Sequence, residues 1–217
     1  MTRLFASPIA GALSAMILVA LLVAATTNHF LTTGNLSNLV LQVSIVAIVG
    51  IGSTIVIITG GIDLSPGSAI ALLTMLFAIL AKNLQVPLAL AIPVVMVLGL
   101  GLGVVNGVLA AYLRIPSFIT TLATLSAFRG VAFMFNNGSP IFSVSPSIEM
   151  IFYGKIAGIP LPLFYVIALY ALAYWFLRYT ALGRAFYAVG GNANAARLSG
   201  INVKLTQLAA FLIAGLT

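Results

Sequence analysis

Apolar residues in this chain are gathered into long runs separated by short polar intervals, the pattern of a membrane protein with several spans. Six runs and the start of a seventh can be drawn. They extend roughly from Ile9 to Thr27, Leu39 to Thr59, Gly67 to Ala81, Val86 to Tyr112, Ser117 to Phe135 and Leu161 to Leu177, with the last beginning near Leu205. A helix needs about 20 residues to cross hydrocarbon, so the third run is short and is expected to be tilted, bent or only partly inserted. The seventh has only Leu205 to Thr217 before the chain stops, which predicts a fragment whose C-terminal part is missing. The first run follows the lone cation Arg3 and superficially resembles a signal peptide. It is long enough to span and lacks a convincing cleavage site, so it reads as a retained helix. The expected fold is all-α, a polytopic transmembrane helical bundle forming one domain over residues 1–217. No internal repeat or low-complexity linker stands out.

Composition narrows the function. Hydrophobic residues make up 62% and charged residues 5%, whereas soluble domains carry about 25% charged residues. The formal charge of +7 comes from scattered single cations, and nucleic-acid binding needs a concentrated patch. There is no cysteine, hence no disulfide and no thiolate metal site. One histidine, His29, and two acids, Asp63 and Glu149, cannot supply an ordinary metal site or a catalytic triad. No catalytic residue, metal site or enzyme active site is visible. With the N-terminus inside, Arg3, Arg114, Arg178, Arg184, Arg197 and Lys204 fall on the inner side and Lys82 and Lys155 on the outer. Six against two favours a cytoplasmic N-terminus. Glu149 and His29 then lie outside, and the connector from Asn136 to Pro160 is external.

Four stretches carry candidate chemistry. The inner connector, about residues 179–204, is moderately polar and basic between two apolar segments. Within it Asn192 can cap a short helix carrying Ala193, Asn194, Ala195, Ala196, Arg197 and Leu198, and Gly200 can end it. It is either a solvated loop whose arginines only set topology or a docking helix for a cytoplasmic subunit. The second stretch, TGGIDLSPG at Thr59 to Gly67, allows a sharp turn and starts a helix at Ser65 and Pro66, with Asp63 near the helix's positive end. It reads as an ordinary capped turn or as a broken helix lining a polar path. The third holds Gly99, Gly103 and Gly107 on one helix face, which reads as a packing surface ahead of a direct role in transport, with Asn106 needing a partner inside the bundle. The fourth, Arg114 to Pro140, sets Ser117, Thr120, Thr121, Thr124 and Ser126 in an apolar frame. Those hydroxyls can also bond the helix's own carbonyls. Arg129 within that span faces a partner or water, or snorkels to the outer surface.

Taken together, GGIDLSPG, GVVNGVLAAYLRIPSFITTLATLSAFRG and ALGRAFYAVGGNANAARLSGI resemble the permease subunits of ribose-type sugar ABC importers. The family includes ribose, xylose, arabinose and galactose permeases, and the likeness runs from about Leu36 to the end. It implies a type II ABC importer-like permease in the bacterial inner membrane, paired with a second copy or paralogue. A cytoplasmic ABC ATPase would bind the ATP, a periplasmic sugar-binding protein would deliver the monosaccharide, and membrane lipids would surround the spans. The chain itself would hold no cofactor, and it contains no GxxxxGK[ST] loop. By the same resemblance Gly191 to Gly200 corresponds to the coupling helix that docks on the ATPase. Relatives often carry acids after the first asparagine of NANAAR. Family permeases run to a little over three hundred residues with about ten spans. Candidate path residues are Asp63, Asn106, Phe118, Thr121 and Arg129, with Phe128 as a further aromatic. The rival readings are a branched-chain amino-acid ABC permease, an ion-coupled secondary transporter with Asp63 as its acid, and a scaffold without a path.

Overall fold

The computed structural model describes residues 8–142 and 146–217; Arg3 lies outside them. The described chain forms α1 (Pro8–Thr26), α2 (Thr33–Ile58), α3 (Pro66–Ala78), α4 (Leu88–Gly107) and α5 (Ser117–Met134). After a short connector with α6 (Pro146–Tyr153) and the hairpin β1 (Lys155–Ile156) and β2 (Ile159–Pro160), α7 (Leu161–Tyr179) follows. The chain continues through α8 (Ala181–Gly191), α9 (Ala193–Leu198) and α10 (Val203–Leu216). Among the described residues five helical segments are long and apolar enough to cross a bilayer: Thr33–Ile58, Pro66–Asn83, Leu88–Tyr112, Ser117–Met134 and Leu161–Tyr179. Two shorter apolar helices, Ala10–Thr26 and Val203–Leu216, flank them.

The third segment is longer than the hydropathy pattern suggests because its last turn widens. Leu84 N–H bonds the Ile79 carbonyl at 2.9 Å, five residues back, and the wider turn carries the helix to Asn83. The end of α4 does the same, with Leu113 N–H on the Val108 carbonyl at 3.1 Å. In both places the next residue is left-handed, Gln85 at φ 52° and Arg114 at φ 59°. A further N–H then closes over the helix end, from Val86 to Leu80 at 2.9 Å and from Ile115 to Leu109 at 3.2 Å. A proline follows at Pro87 and Pro116 and opens the next helix. The residues match as well: Ile79–Pro87 reads ILAKNLQVP and Val108–Pro116 reads VLAAYLRIP. This short repeat, offset by 29 positions, corrects the expectation that no internal repeat stands out. Its physical content is a helix stop followed by an immediate restart, since proline cannot continue a helix but is tolerated at its start.

Helix α10 sits inside the bundle, against α4, α2 and α8. Its seam with α4 is made of backbone. A Cβ on Gly103 would overlap the Phe211 carbonyl, one on Gly99 would overlap the Gly215 carbonyl, and one on Gly107 would meet Leu208. The three glycines are therefore a packing face, and α10 is its partner. Gly52 of α2 lies equally close to Ala214 on the other side of α10. A second group, Leu72, Phe128 and Ala132, joins α3 to α5. By contrast α1 makes no extensive contact with another described element and exposes Met16, Leu18, Leu21 and Leu22. α7 exposes Ile167, Leu172 and Trp175. The connector between α5 and α7 carries α6 and a hairpin whose turn residues Ala157 and Gly158 have φ of 51° and 82°, as a tight two-residue hairpin requires.

Candidate functional site

Between α2 and α3 the chain runs without regular structure, and neighbouring side chains hold it. Helix α2 is closed just past its end by Gly60, φ 82°, where Gly61 N–H bonds the Val56 carbonyl at 3.0 Å and Gly60 N–H bonds Ile57 at 2.9 Å. The two bonds satisfy carbonyls that the helix end leaves free. The extended residues beyond it lie on the first turns of α5. Ser117 Oγ accepts from Ile62 N–H at 2.9 Å. Thr121 Oγ1 accepts from Leu64 N–H at 3.0 Å and donates to the Ile62 carbonyl at 3.2 Å. Irregular backbone between spans persists only where protein satisfies its polar groups, because hydrocarbon offers no partner.

Helix α4 completes the arrangement. Thr124 Oγ1 donates to Asn106 Oδ1 at 2.6 Å, and Asn106 Nδ2 donates to Ser65 Oγ at 2.8 Å. Ser65 Oγ in turn donates to Asp63 Oδ1 at 2.7 Å, and Ser65 N–H reaches the same oxygen at 2.8 Å. Every donor in this chain points the same way, toward the carboxylate. Ser65 stands at the N-cap position with Pro66 behind it, as the sequence suggests, but its hydroxyl does not cap α3. That hydroxyl is committed to Asp63 and Asn106. The Ser65 carbonyl accepts from Ser68 and Ala69 N–H and from the Ser68 hydroxyl.

The five residues proposed from sequence for a path divide into two groups. Asp63, Asn106 and Thr121 come together in this network. Asn106 is 3% exposed and Thr121 is 0% exposed, so neither offers surface to a solute in this conformation. Asp63 is half-buried at the network's edge. Phe118 and Arg129 lie on the opposite face of α5, both exposed, on one helical stripe with Leu122, Ser126 and Phe133. Phe128 belongs to the buried side. Among the described residues the Arg129 guanidinium has no hydrogen-bond or ion-pair partner.

The basic connector folds into two short helices. Thr180 Oγ1 accepts from Gly183 N–H at 3.0 Å and starts α8, a helix not foreseen from sequence. α8 buries Gly183, Phe186 and Val189 at intervals of three. Phe186 packs with Ile51, Ile55, Val56, Ala210 and Phe211, burial that stabilises by about 2 kcal/mol. Gly190 lies so close to the Ile58 carbonyl that no Cβ fits. The chain then reverses at Asn192, whose Oδ1 accepts from Ala195 N–H at 3.0 Å and caps α9. At the far end Ile201 N–H bonds Ala196 at 3.0 Å and Gly200 N–H bonds Arg197 at 3.0 Å, with Gly200 left-handed at φ 85°. Asn202 Oδ1 caps α10 by accepting from Leu205 N–H at 3.1 Å. Of α9 only Ala196 is buried; Asn194, Ala195 and Arg197 are exposed, and Leu198 is 86% exposed. Gly191 and Asn192 are exposed at the reversal. A six-residue helix fixed at both ends by caps, with its outer face uncovered, is a rigid presentation surface.

A family model described as "Branched-chain amino acid transport system / permease component" matches residues 35–217. The ribose import permease protein RbsC of Escherichia coli K12 is 36% identical over 208 residues, covering 94% of this chain and 64% of that protein. RbsC of Bacillus subtilis 168 is 36% identical over 95% of this chain and 64% of its own length. The D-allose transport system permease protein AlsC of E. coli K12 is 35% identical over 92% of this chain and 61% of its own. The chain thus spans somewhat under two thirds of the curated relatives it matches. No solved structure matches it.

Proposed function

This chain belongs to the branched-chain amino acid transport system / permease component family, and from that premise we propose that it is the membrane-spanning subunit of an ATP-driven importer for a monosaccharide. It is a transport component; the ATP would be hydrolysed by a separate cytoplasmic ABC ATPase. A second permease copy or paralogue and a periplasmic sugar-binding protein complete the assembly in a bacterial inner membrane, with the N-terminus in the cytoplasm. Relatives named for ribose and D-allose support a sugar as cargo.

The observation that carries this reading is the α8–α9 unit. α8 is anchored under α2 and α10 by Phe186 and Gly190, and α9 stands beyond it with Arg197 and Leu198 uncovered. A push on α9 is therefore transmitted to two packed helices. ATP binding would close the ATPase pair, move the docked α9 helices and shift the spans between inward-open and outward-open states, as far as ATP favours one state. The exposed α5 stripe through Phe118, Ser126 and Arg129 supplies an aromatic face, a hydroxyl and a cation toward the sugar path or the second copy. An arginine at span depth is costly when left in lipid, which supports that placement. The buried network of Asp63, Asn106 and Thr121 shapes the path wall by fixing the loop.

The test begins with the tagged full-length protein, purified from native membrane in mild detergent and analysed by mass spectrometry. The expected result is near-equal recovery of an ATPase subunit bearing a phosphate loop, and its loss in the Arg197→Glu, Leu198→Ala variant. Recovery with no ATPase, under conditions that preserve a known importer, would overturn the reading in favour of a secondary transporter. Uptake of labelled ribose against labelled leucine, with the cognate binding protein present, separates a sugar from a branched-chain amino acid.

A further inference from the structure

A cleft of about 540 Å³ opens where the Thr59–Gly61 turn, the α4–α5 junction, α9 and the start of α10 meet. That is the size of ordinary ligand pockets. Three cations line it, Arg114, Arg197 and Lys204, together with Asn194 and Gln207, and none of its lining residues is acidic. Among the described residues the guanidinium groups of Arg114 and Arg197 have neither a hydrogen-bond nor an ion-pair partner. The Lys204 ammonium lies 5.5 Å from the centre of the Tyr112 ring. Arg114 holds φ 59°, a conformation uncommon for a residue with a Cβ. The widened turn before it and Pro116 after it fix its place at the cleft. Neither of the chain's two acids lines the cleft: Asp63 accepts from Ser65 in the loop before α3, and Glu149 belongs to α6 in the connector between α5 and α7. Three cations from three elements thus line one cleft, and among the described residues none of them is in an ion pair.

The walls also change character with depth. Along α10, Lys204 and Gln207 are half-buried and Phe211 is buried, and Ala110 and Ala111 add apolar wall from the other side. Cations at the mouth over an apolar wall match an amphiphile with an anionic head, and basic pockets between spanning helices take phospholipid headgroups. We propose that this cleft binds the phosphate of an anionic phospholipid headgroup, with Arg114, Arg197 and Lys204 as its cationic contacts. Guanidinium groups suit phosphate oxygens through charge-assisted, often paired hydrogen bonds. The inference goes beyond the importer reading, since it requires only that the chain is membrane-embedded.

Native mass spectrometry of the full-length protein in mild detergent tests it, with phosphatidylglycerol and phosphatidylcholine added in turn. The wild type should retain phosphatidylglycerol in preference. Neutralising Arg114→Gln, Arg197→Gln and Lys204→Gln singly should lower that affinity about fivefold each, and the triple variant should lose the preference. A control triple, Lys82→Gln, Lys155→Gln and Arg178→Gln, should keep it. Thermal midpoints without added lipid identify any variant that misfolds, and the single variants then carry the test. Equal phosphatidylglycerol binding by wild type and cleft variants would overturn the proposal. Inorganic phosphate that displaces the lipid at millimolar concentration and stabilises the protein as well as the lipid does would overturn the lipid source in favour of a free-phosphate site. Indifference to lipid, with loss of a co-purifying protein from the cleft variants, would overturn it in favour of a protein contact. None of these readouts depends on sugar uptake or ATP hydrolysis.

Discussion

Thr120 and Thr121 are neighbours on α5, both buried, with opposite fates. Thr121 Oγ1 bonds the loop at Leu64 N–H and the Ile62 carbonyl; Thr120 Oγ1 is buried without a partner. A buried hydroxyl with no bond costs stability, while removing a bonded one strands its partners. Thr121→Val should therefore lower stability by about 1–3 kcal/mol, whereas Thr120→Val, of the same shape, should be neutral or stabilising. Thermal denaturation of the purified protein measures both, and equal losses would contradict the distinction. Asn106→Leu breaks the relay in the middle, leaving Thr124 and Ser65 each short of a partner, and should cost more than either threonine change. At this scale the sequence was half legible. An asparagine inside an apolar run has to find a partner, which marks Asn106 at once. That the partner is the hydroxyl of Ser65, 41 residues away, depends on how α3, α4 and α5 pack, and no local pattern carries that information.

At the scale of elements the glycines of α4 show the same division. Their spacing of four marks a packing face, but not which helix fills it, and α10 begins about 95 residues later in the chain. Gly103→Ala should destabilise by about 1–3 kcal/mol through overlap with the α10 backbone. Gly101→Ala, with nothing within 4 Å of the added carbon, should be neutral or gain up to about 1 kcal/mol from helix propensity. Thermal midpoints of the two variants check the pair against each other. The connector was legible where side chains cap backbone locally: Asn192 and Gly200 delimit α9 as their types predict. Helix α8 was missed, although Thr180 as cap and Gly183, Phe186 and Val189 at intervals of three were its signal. Eleven residues with three glycines have weak intrinsic helicity, and the packing of Phe186 outweighs that propensity.

For the whole molecule, the long apolar runs made the class plain, because an apolar excess of this size has no place in a soluble core. Sidedness is less direct, since it rests on counting cations. Residues 1–217 contain no cysteine, so a single cysteine placed among them reports topology against no background from this segment. A cysteine at Ala195 on α9 should react only from the cytoplasmic side, and one at Ser147 on α6 only from the opposite side, as read by an impermeant maleimide on intact cells and on inverted vesicles. Labelling of both from one side would overturn the assignment of N-terminus and connectors together.

The paired stops at Ile79–Pro87 and Val108–Pro116 close helices at opposite ends of the bundle, yet they are built alike, with a widened turn, a left-handed residue and a proline. The local code for turning around is therefore indifferent to the face of the membrane on which it operates. Joining Ala78 directly to Val108 would remove one span and leave a junction that still satisfies its own hydrogen bonds. Every element beyond it would then be inverted, with α9 delivered to the wrong compartment. Parity, the odd or even number of crossings, is thus a property that these junctions execute without being able to check.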